Sequence, residues 1–165
     1  MKNPLAEIEF GKGCRLGPGF SISAPWGGSF VCGDHCEFRR DFRAELEGPE
    51  SAIQIGDDCV FTYYSVIQCG RSIVIGDRAV FAQSSMVVDG SHHFRDLDRR
   101  VLEQGYDFRP IQIADDVMTS AKCTIIADIG ERSFIGANSV VTRDIPPYCV
   151  AVGAPAEPID YFGPG

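Results

Sequence analysis

Ile129-Gly130-Glu131-Arg132-Ser133, followed in register by Ile135-Gly136-Ala137-Asn138-Ser139, decides how this chain folds. The phrase is a bulky aliphatic, a small residue, two polar residues and a second small residue, and it returns after six positions. The same phrase appears as Ile55-Gly56-Asp57-Asp58-Cys59 and Ile75-Gly76-Asp77-Arg78-Ala79. Looser copies are Phe10-Gly11-Lys12-Gly13-Cys14, Leu16-Gly17-Pro18-Gly19-Phe20, Cys32-Gly33-Asp34-His35-Cys36 and Ile113-Ala114-Asp115-Asp116-Val117. The aliphatic can fill a narrow interior, while the small second residue lets the backbone bend sharply. The polar pair then lies outside, and the fifth slot takes a small side chain at a corner. Stacking such turns pairs each strand with the coil above and below, so no repeat is stable alone. The spacing predicts an all-β solenoid of parallel strands.

Composition agrees with this reading. The chain has 165 residues, 44% apolar and 23% charged, the balance of a globular protein of one domain. Eighteen glycines and ten prolines, with no sustained helical periodicity, argue against a helical bundle. Acids outnumber bases 23 to 15, giving a formal charge of -8, which excludes a general binder of nucleic acid or anionic membrane. No apolar run approaches the roughly 18 residues of a membrane span. Met1-Lys2-Asn3-Pro4-Leu5 lacks the apolar centre of a signal peptide, so a cytoplasmic location is expected. Seven cysteines are an odd number, and free thiols in a reducing compartment are the expectation. Cys14, Cys36, Cys59 and Cys123 fall in fifth slots, where a thiol acts as a small hydrophobe. Cys32, His35 and Cys36 lack a second Cys/His pair at zinc-finger spacing, and no metal is expected.

Three stretches carry a family likeness: Val88-Asp89-Gly90-Ser91-His92, Arg109-Pro110-Ile111-Gln112-Ile113-Ala114-Asp115-Asp116-Val117, and Ile135 through Pro147 with Val152-Gly153-Ala154-Pro155-Ala156 behind it. In this order they resemble the hexapeptide-repeat acyltransferases, in the branch of the maltose, galactoside, xenobiotic and glycan O-acetyltransferases. The resemblance covers residues 53–159 and implies a left-handed parallel β-helix. The general rule for parallel crossovers predicts the other hand. It also implies acetyl-CoA as donor, a small-molecule acceptor and a homotrimer with sites in the clefts between prisms.

The repeat breaks between Ile75 and Ile113, and residues 91–110 form a polar insertion bearing His92 and His93. Such an insertion reads either as a solvated excursion or as a functional loop on a rigid scaffold. The resemblance places the family's catalytic histidine at His92, with His93 at a variable position. Imidazole suits the chemistry, since a base near neutral pKa must take the proton of an attacking hydroxyl. Its second ring nitrogen needs an acceptor, for which Asp89, Glu103 and a backbone carbonyl are candidates. Positions matching the donor cleft are Met118, Thr119, Ala121, Ala137 and Thr142, with Arg143 as a phosphate partner. Asp89, Thr62, Tyr64 and Tyr106 are candidate acceptor contacts, although the aromatic ones fit turn and interface packing equally well.

The chain departs from the family pattern in three places. Met118-Thr119-Ser120 stands where Trp-Ile-Gly is usual, and Glu157 and Asp160 stand where basic residues meet CoA phosphates. Cys123 through Ile129 is about two residues short of the usual coil, so one corner must be tighter. Two explanations remain open: an active enzyme with an altered donor site, or a non-catalytic trimeric scaffold. A carbonic-anhydrase-like zinc enzyme on the same solenoid would need three shared histidines, whereas this chain has only His35 and the adjacent His92 and His93. One domain, 1–165, is expected, with irregular coils over 1–52, the loop at 91–110 and a loosely packed tail at 158–165.

Overall fold

In the computed structural model residues 6–164 are described; Met1–Leu5, where a leader was sought, and Gly165 at the end of the tail lie outside them. The strands alternate as the repeat requires. In Ala52–Ile55, Ile53 and Ile55 are buried and Gln54 faces out. In Ser72–Ile75, Ile73 and Ile75 are buried in turn. Each strand hydrogen-bonds in parallel to its counterpart one coil away, for example Ile53 opposite Ile73 and Ile73 opposite Ile111.

Three stacks result. The first sheet contains Ala6–Phe10, Gly28–Cys32, Ala52–Ile55, Ser72–Ile75 and Ile111–Ile113. The second runs from Arg15–Leu16 through Val60–Phe61, Val80–Phe81, Met118–Thr119 and Phe134–Ile135 to Cys149–Gly153. The third includes Val66–Cys69, Met86–Val88, Thr124–Ile125 and Val140–Val141. Successive strands of one coil go to successive sheets, so the chain winds as a three-faced parallel β-helix. Its interior is a column of aliphatic rungs with a ladder of rings. Phe38 stacks on Phe61 at 5.2 Å and Phe61 on Phe81 at 4.8 Å, with nearly parallel planes in both cases.

The repeated phrase forms the corners, most copies lying between the first and second sheets and residues 16–20, 119–123 and 135–139 between the second and third, and each slot has its own bond. The third-slot carboxylate accepts the backbone N–H one coil earlier: Asp57 from Asp34 N at 2.7 Å, Asp77 from Asp57 N at 2.8 Å, and Asp115 from Asp77 N at 3.0 Å. The fifth-slot thiols of Cys14, Cys36, Cys59 and Cys123 donate to the carbonyls of Gly33, Gly56, Gly76 and Gly136 at 3.1–3.2 Å. Ser133 does the same to Pro146 O at 2.8 Å. Cys36, Cys59 and Cys123 are buried and Cys14 half-buried. Burial pushes the Cys123 thiol up, as expected for an inert packing group.

The second-slot glycine is not the residue that bends the chain, contrary to the expectation from the phrase. Positive φ falls in the fourth slot, at His35, Asp58, Arg78, Asp116 and Arg132, all between 55° and 58°. Glycine serves close approach. A methyl at Gly56 would overlap the Asp77 carboxylate and come within 2.8 Å of the Gly76 backbone.

The coils shorten along the solenoid. Ile113 bridges Ile129, and Ile129 bridges Ile145, with sixteen residues in each step. The corner expected to be tight is braced by Asp128, which accepts Gln112 N at 2.8 Å, and by Asp144, which accepts Asp128 N at 3.2 Å. The tail corrects another expectation. Ala156–Tyr161 is a strand that turns back at Gly153 (φ 107°) and pairs antiparallel with Cys149–Gly153. The reversal covers the last coil's edge and satisfies backbone groups that a frayed tail would leave open. Among the described residues no helix is long and apolar enough to cross a membrane.

Candidate active site

The inserted loop leaves the corner between the third and first sheets. Gly90–His92 pairs antiparallel with Tyr106–Phe108, and a short 3₁₀ turn, Val101–Glu103, closes the far end. The Phe108 ring lies over Gly70 and Gly90, where a methyl would collide with it. Two bare glycines thus let the return strand seat on the prism.

The adjacent histidines differ in what their rings touch. His93 Nδ1 is 3.1 Å from Gln104 O, and Nε2 is 2.8 Å from Asp107 Oδ1. Both neighbours are acceptors, so both ring nitrogens must carry protons for both contacts to be hydrogen bonds. The Asp107 carboxylate, helped by the Gln104 carbonyl, raises the His93 pKa accordingly. An imidazolium held this way cannot accept a proton. His92 is exposed, and among the described residues no hydrogen bond or ion pair engages its ring. It lies against Tyr106 at a 41° tilt, centroids 4.3 Å apart, and Tyr106 stacks on Phe108 at 5.6 Å. His92 also lines a cavity with Tyr106, Phe108, Glu47, Gln68 and Asp89.

The other expected site residues separate. Tyr106 forms the aromatic wall beside His92. Asp89, expected to contact acceptor or orient the histidine, is 4% exposed with its oxygens engaged elsewhere. It accepts Gly70 N at 2.7 Å and Arg71 N and Ser72 N at 2.8 Å, and the Cys69 thiol lies at 3.5 Å. Burial together with this carboxylate pushes the Cys69 thiol up to about 12. No hydrogen bond joins Asp89 or Glu103 to His92 among the described residues. Thr62 and Tyr64 lie at a different corner, between the second and third sheets, and Tyr64 lines a separate hollow with Arg40, Tyr63, Gln83 and Ser84. The Thr62 hydroxyl is buried with no hydrogen-bond partner.

Ala121 and Ala137 occupy that same second corner in later coils, with Asn138 N donating to Ala121 O at 3.0 Å. Met118 faces out from the second sheet beside them, but Thr119 does not. Strand alternation turns the Thr119 side chain inward, fully buried, 3.3 Å from Ser85 Oγ. Thr142 and Arg143 lie exposed at the corner of the His92 loop, and Arg143 pairs with Glu157 at 3.6 Å. One of the carboxylates that depart from the family pattern is therefore matched by the arginine expected to meet phosphate. The candidates fall on the two long edges of the third sheet, His92 with Thr142 on one and Tyr64, Ala121 and Ala137 on the other. A three-histidine metal site does not form within the chain; among the described residues the group close enough to hold an ion is Cys14, Cys32 and Cys36.

Glu47 and Gln68 were not singled out from the sequence. Gln68 Nε2 donates to Glu47 Oε1 at 3.1 Å, making a polar ledge in the cavity of His92. Gln68 is the sheet partner of Val88, so counting one coil back from the loop would have found it.

No family model matches the chain. Named relatives and solved structures do. The galactoside O-acetyltransferase of Escherichia coli K12 is 31% identical over 153 residues, covering 74% of this chain and 73% of the relative. This chain belongs to the hexapeptide-repeat acetyltransferases. A probable acetyltransferase of Mycobacterium tuberculosis is 30% identical over 114 residues, 68% of this chain, although the chain spans only 38% of that relative's length. A hexapeptide-repeat-containing acetyltransferase of Vibrio cholerae, crystallised with acetyl coenzyme A, matches 94% of this chain and 72% of its own, at TM-score 0.64 and 26% identity. The fold is accordingly this family's left-handed parallel β-helix.

Proposed function

We propose that this chain transfers the acetyl group of acetyl-CoA to a hydroxyl of a sugar, glycan precursor or similar small acceptor, with His92 as general base. The observation that carries this reading is the contrast between the histidines: His93 has both nitrogens committed, whereas His92 keeps both free at the mouth of a polar and aromatic cavity. Membership of the acetyltransferases and the acetyl-CoA complex of the Vibrio cholerae relative support the donor. The name of the Escherichia coli relative supports a hydroxyl acceptor.

A free His92 nitrogen takes the acceptor's O–H proton as its oxygen attacks the thioester carbon. The tetrahedral intermediate collapses with loss of the CoA thiolate, which receives that proton from the imidazolium. Glu47 and Gln68 suit an acceptor with several hydroxyls, and the Tyr106 face suits a sugar ring. The site residues occupy two edges of one sheet, so a cleft with all of them needs a second copy, whose edge at Tyr64, Met118, Ala121 and Ala137 meets the His92 loop. A homotrimer supplies three such clefts. With acetyl-CoA as donor, the chain works in the cytoplasm, where its seven thiols stay reduced.

Replacing His92 by Asn should lower turnover by about 10²–10⁴, measured as acetyl-CoA-dependent thiol release with a sugar panel. A rate near that of the unaltered chain rejects the assignment. The Arg143–Glu157 pair favours the scaffold as a second reading, since it offsets a charge the phosphates would use. No heat on titrating acetyl-CoA to millimolar concentration would favour it.

A further inference from the structure

In the first two coils of the solenoid, two coils before the His92 loop leaves the stack, three thiols converge. Cys14 Sγ and Cys32 Sγ are 3.8 Å apart, and the three sulfurs of Cys14, Cys32 and Cys36 lie within 4.8 Å of one another. Cys32 and Cys36 are buried and Cys14 is half-buried, which leaves one side open to an entering ion.

The corner ladder accounts for two of these residues but not the third. Cys14 and Cys36 hold fifth slots and donate to glycine carbonyls, as Cys59 and Cys123 do. Cys32 holds the aliphatic first slot, where its sheet partners are Phe10 and Ile55 and where Ile75 and Ile113 follow. A thiol there gives up buried apolar volume, which in a packed core is destabilising. What it gains is a third sulfur between two others.

We propose that Cys14, Cys32 and Cys36 form a binding site for a trivalent, thiophilic, three-coordinate centre of the arsenite class. Sulfurs about 2.3 Å from a common pyramidal centre lie roughly 3.5 Å apart, so the sulfurs, now within 4.8 Å of one another, must draw together on loading. Thiolate is the ligand such soft ions select. Charge chooses the valence. Arsenous acid exchanges its three hydroxyls for the sulfurs of three thiols, so three S–H and three As–O bonds break as three As–S bonds and three waters form. The loaded site stays uncharged, whereas a divalent ion on three thiolates would bury a net negative charge. His35 supplies no fourth ligand: its exposed ring lies over Gly13 with Nδ1 3.7 Å from Asp58.

The test titrates the reduced full chain with arsenous acid, read by sulfur-to-arsenic charge-transfer absorption and by native mass spectrometry. One arsenic per chain is expected, lost in Cys14→Ser, Cys36→Ser and Cys32→Ile and retained in Cys69→Ser and Cys123→Ser. Cys32→Ile restores the aliphatic that the slot carries elsewhere, so this variant should fold at least as stably and still not bind. Absence of binding to the unaltered chain, or equal binding by Cys32→Ile, overturns the proposal. Tighter binding of zinc than of arsenite overturns the three-coordinate reading.

Discussion

The regular stack and the inserted loop are built on opposite terms. In the stack, each residue of the corner phrase is fixed several times over: the aliphatic by burial, the carboxylate by the previous coil's N–H, the fifth-slot donor by the next coil's carbonyl. Residues 93–103 are all exposed, and the turn is held by His93, the half-buried Gln104 and a few backbone bonds. A stack so determined can carry a loosely held loop at a defined place, and the free imidazole is on the loop's first strand. Stability belongs to one region and chemistry to the other.

The largest effect that separates them is a core deletion. Phe61 stacks between Phe38 and Phe81 and is 1% exposed, so Phe61→Ala should cost about 3–5 kcal/mol of unfolding free energy. Leu102, 78% exposed on the loop, should change it by no more than about 0.5 kcal/mol when truncated. Denaturant midpoints measured on both variants decide the matter. Comparable losses would mean that the loop is part of the cooperative core and that the contrast is wrong.

The division also explains what could be read from the chain. The buried aliphatics Ile55, Ile75, Ile113, Ile129 and Ile135 were legible because each heads a copy of the phrase and inward pointing is a local consequence of alternation. The Asp57–Asp77–Asp115 ladder was not, since each bond joins residues of different coils and coil length varies from sixteen residues to the 38 between Ile75 and Ile113. Thr119 is instructive in the other direction. Alternation alone would have turned it inward, but positional likeness to the family suggested a cleft residue. The roles of His92 and His93 could be separated only by the return strand, because Asp107 is fourteen residues beyond His93 in sequence and 2.8 Å away in space. The same holds for the tail, where a hairpin at Gly153 replaces the repeat that the sequence lacks.

A medium effect sharpens the contrast through pH. The folded-state pKa of His93 lies above its ordinary value of 6.5, so the stabilisation it lends the loop is fully present below about pH 6.5. That contribution is lost as pH rises through the raised folded-state value. Amide exchange at His93, whose N–H donates to Gly105 O at 3.0 Å, should lose protection on going from pH 6 to pH 9 after correction for intrinsic rates. The Ile73 amide in the stack should keep its protection over the same range. Asp107→Asn should flatten the loop's pH response while leaving the denaturant midpoint unchanged. A stack amide that follows the same titration would show the two regions to be coupled.

The smallest effect tests whether the corner bonds are individually important or only jointly so. Cys59→Ser keeps a donor to the Gly76 carbonyl, and Cys59→Ala removes it. The same column holds Ala79 one coil on and Ser133 further along, so both side chains already fit this corner elsewhere. The weak thiol donor contributes little on its own, and a net hydrogen bond is worth only about 1 kcal/mol. Both variants should therefore unfold within about 1 kcal/mol of the unaltered chain, with Ser at least as stable as Ala. A loss in Ala well beyond about 1 kcal/mol, with Ser unaffected, would mean that the carbonyl cannot find another partner at a closed corner. In that case the over-determination described for the stack would hold for its carboxylates and aliphatics but not for its fifth slot.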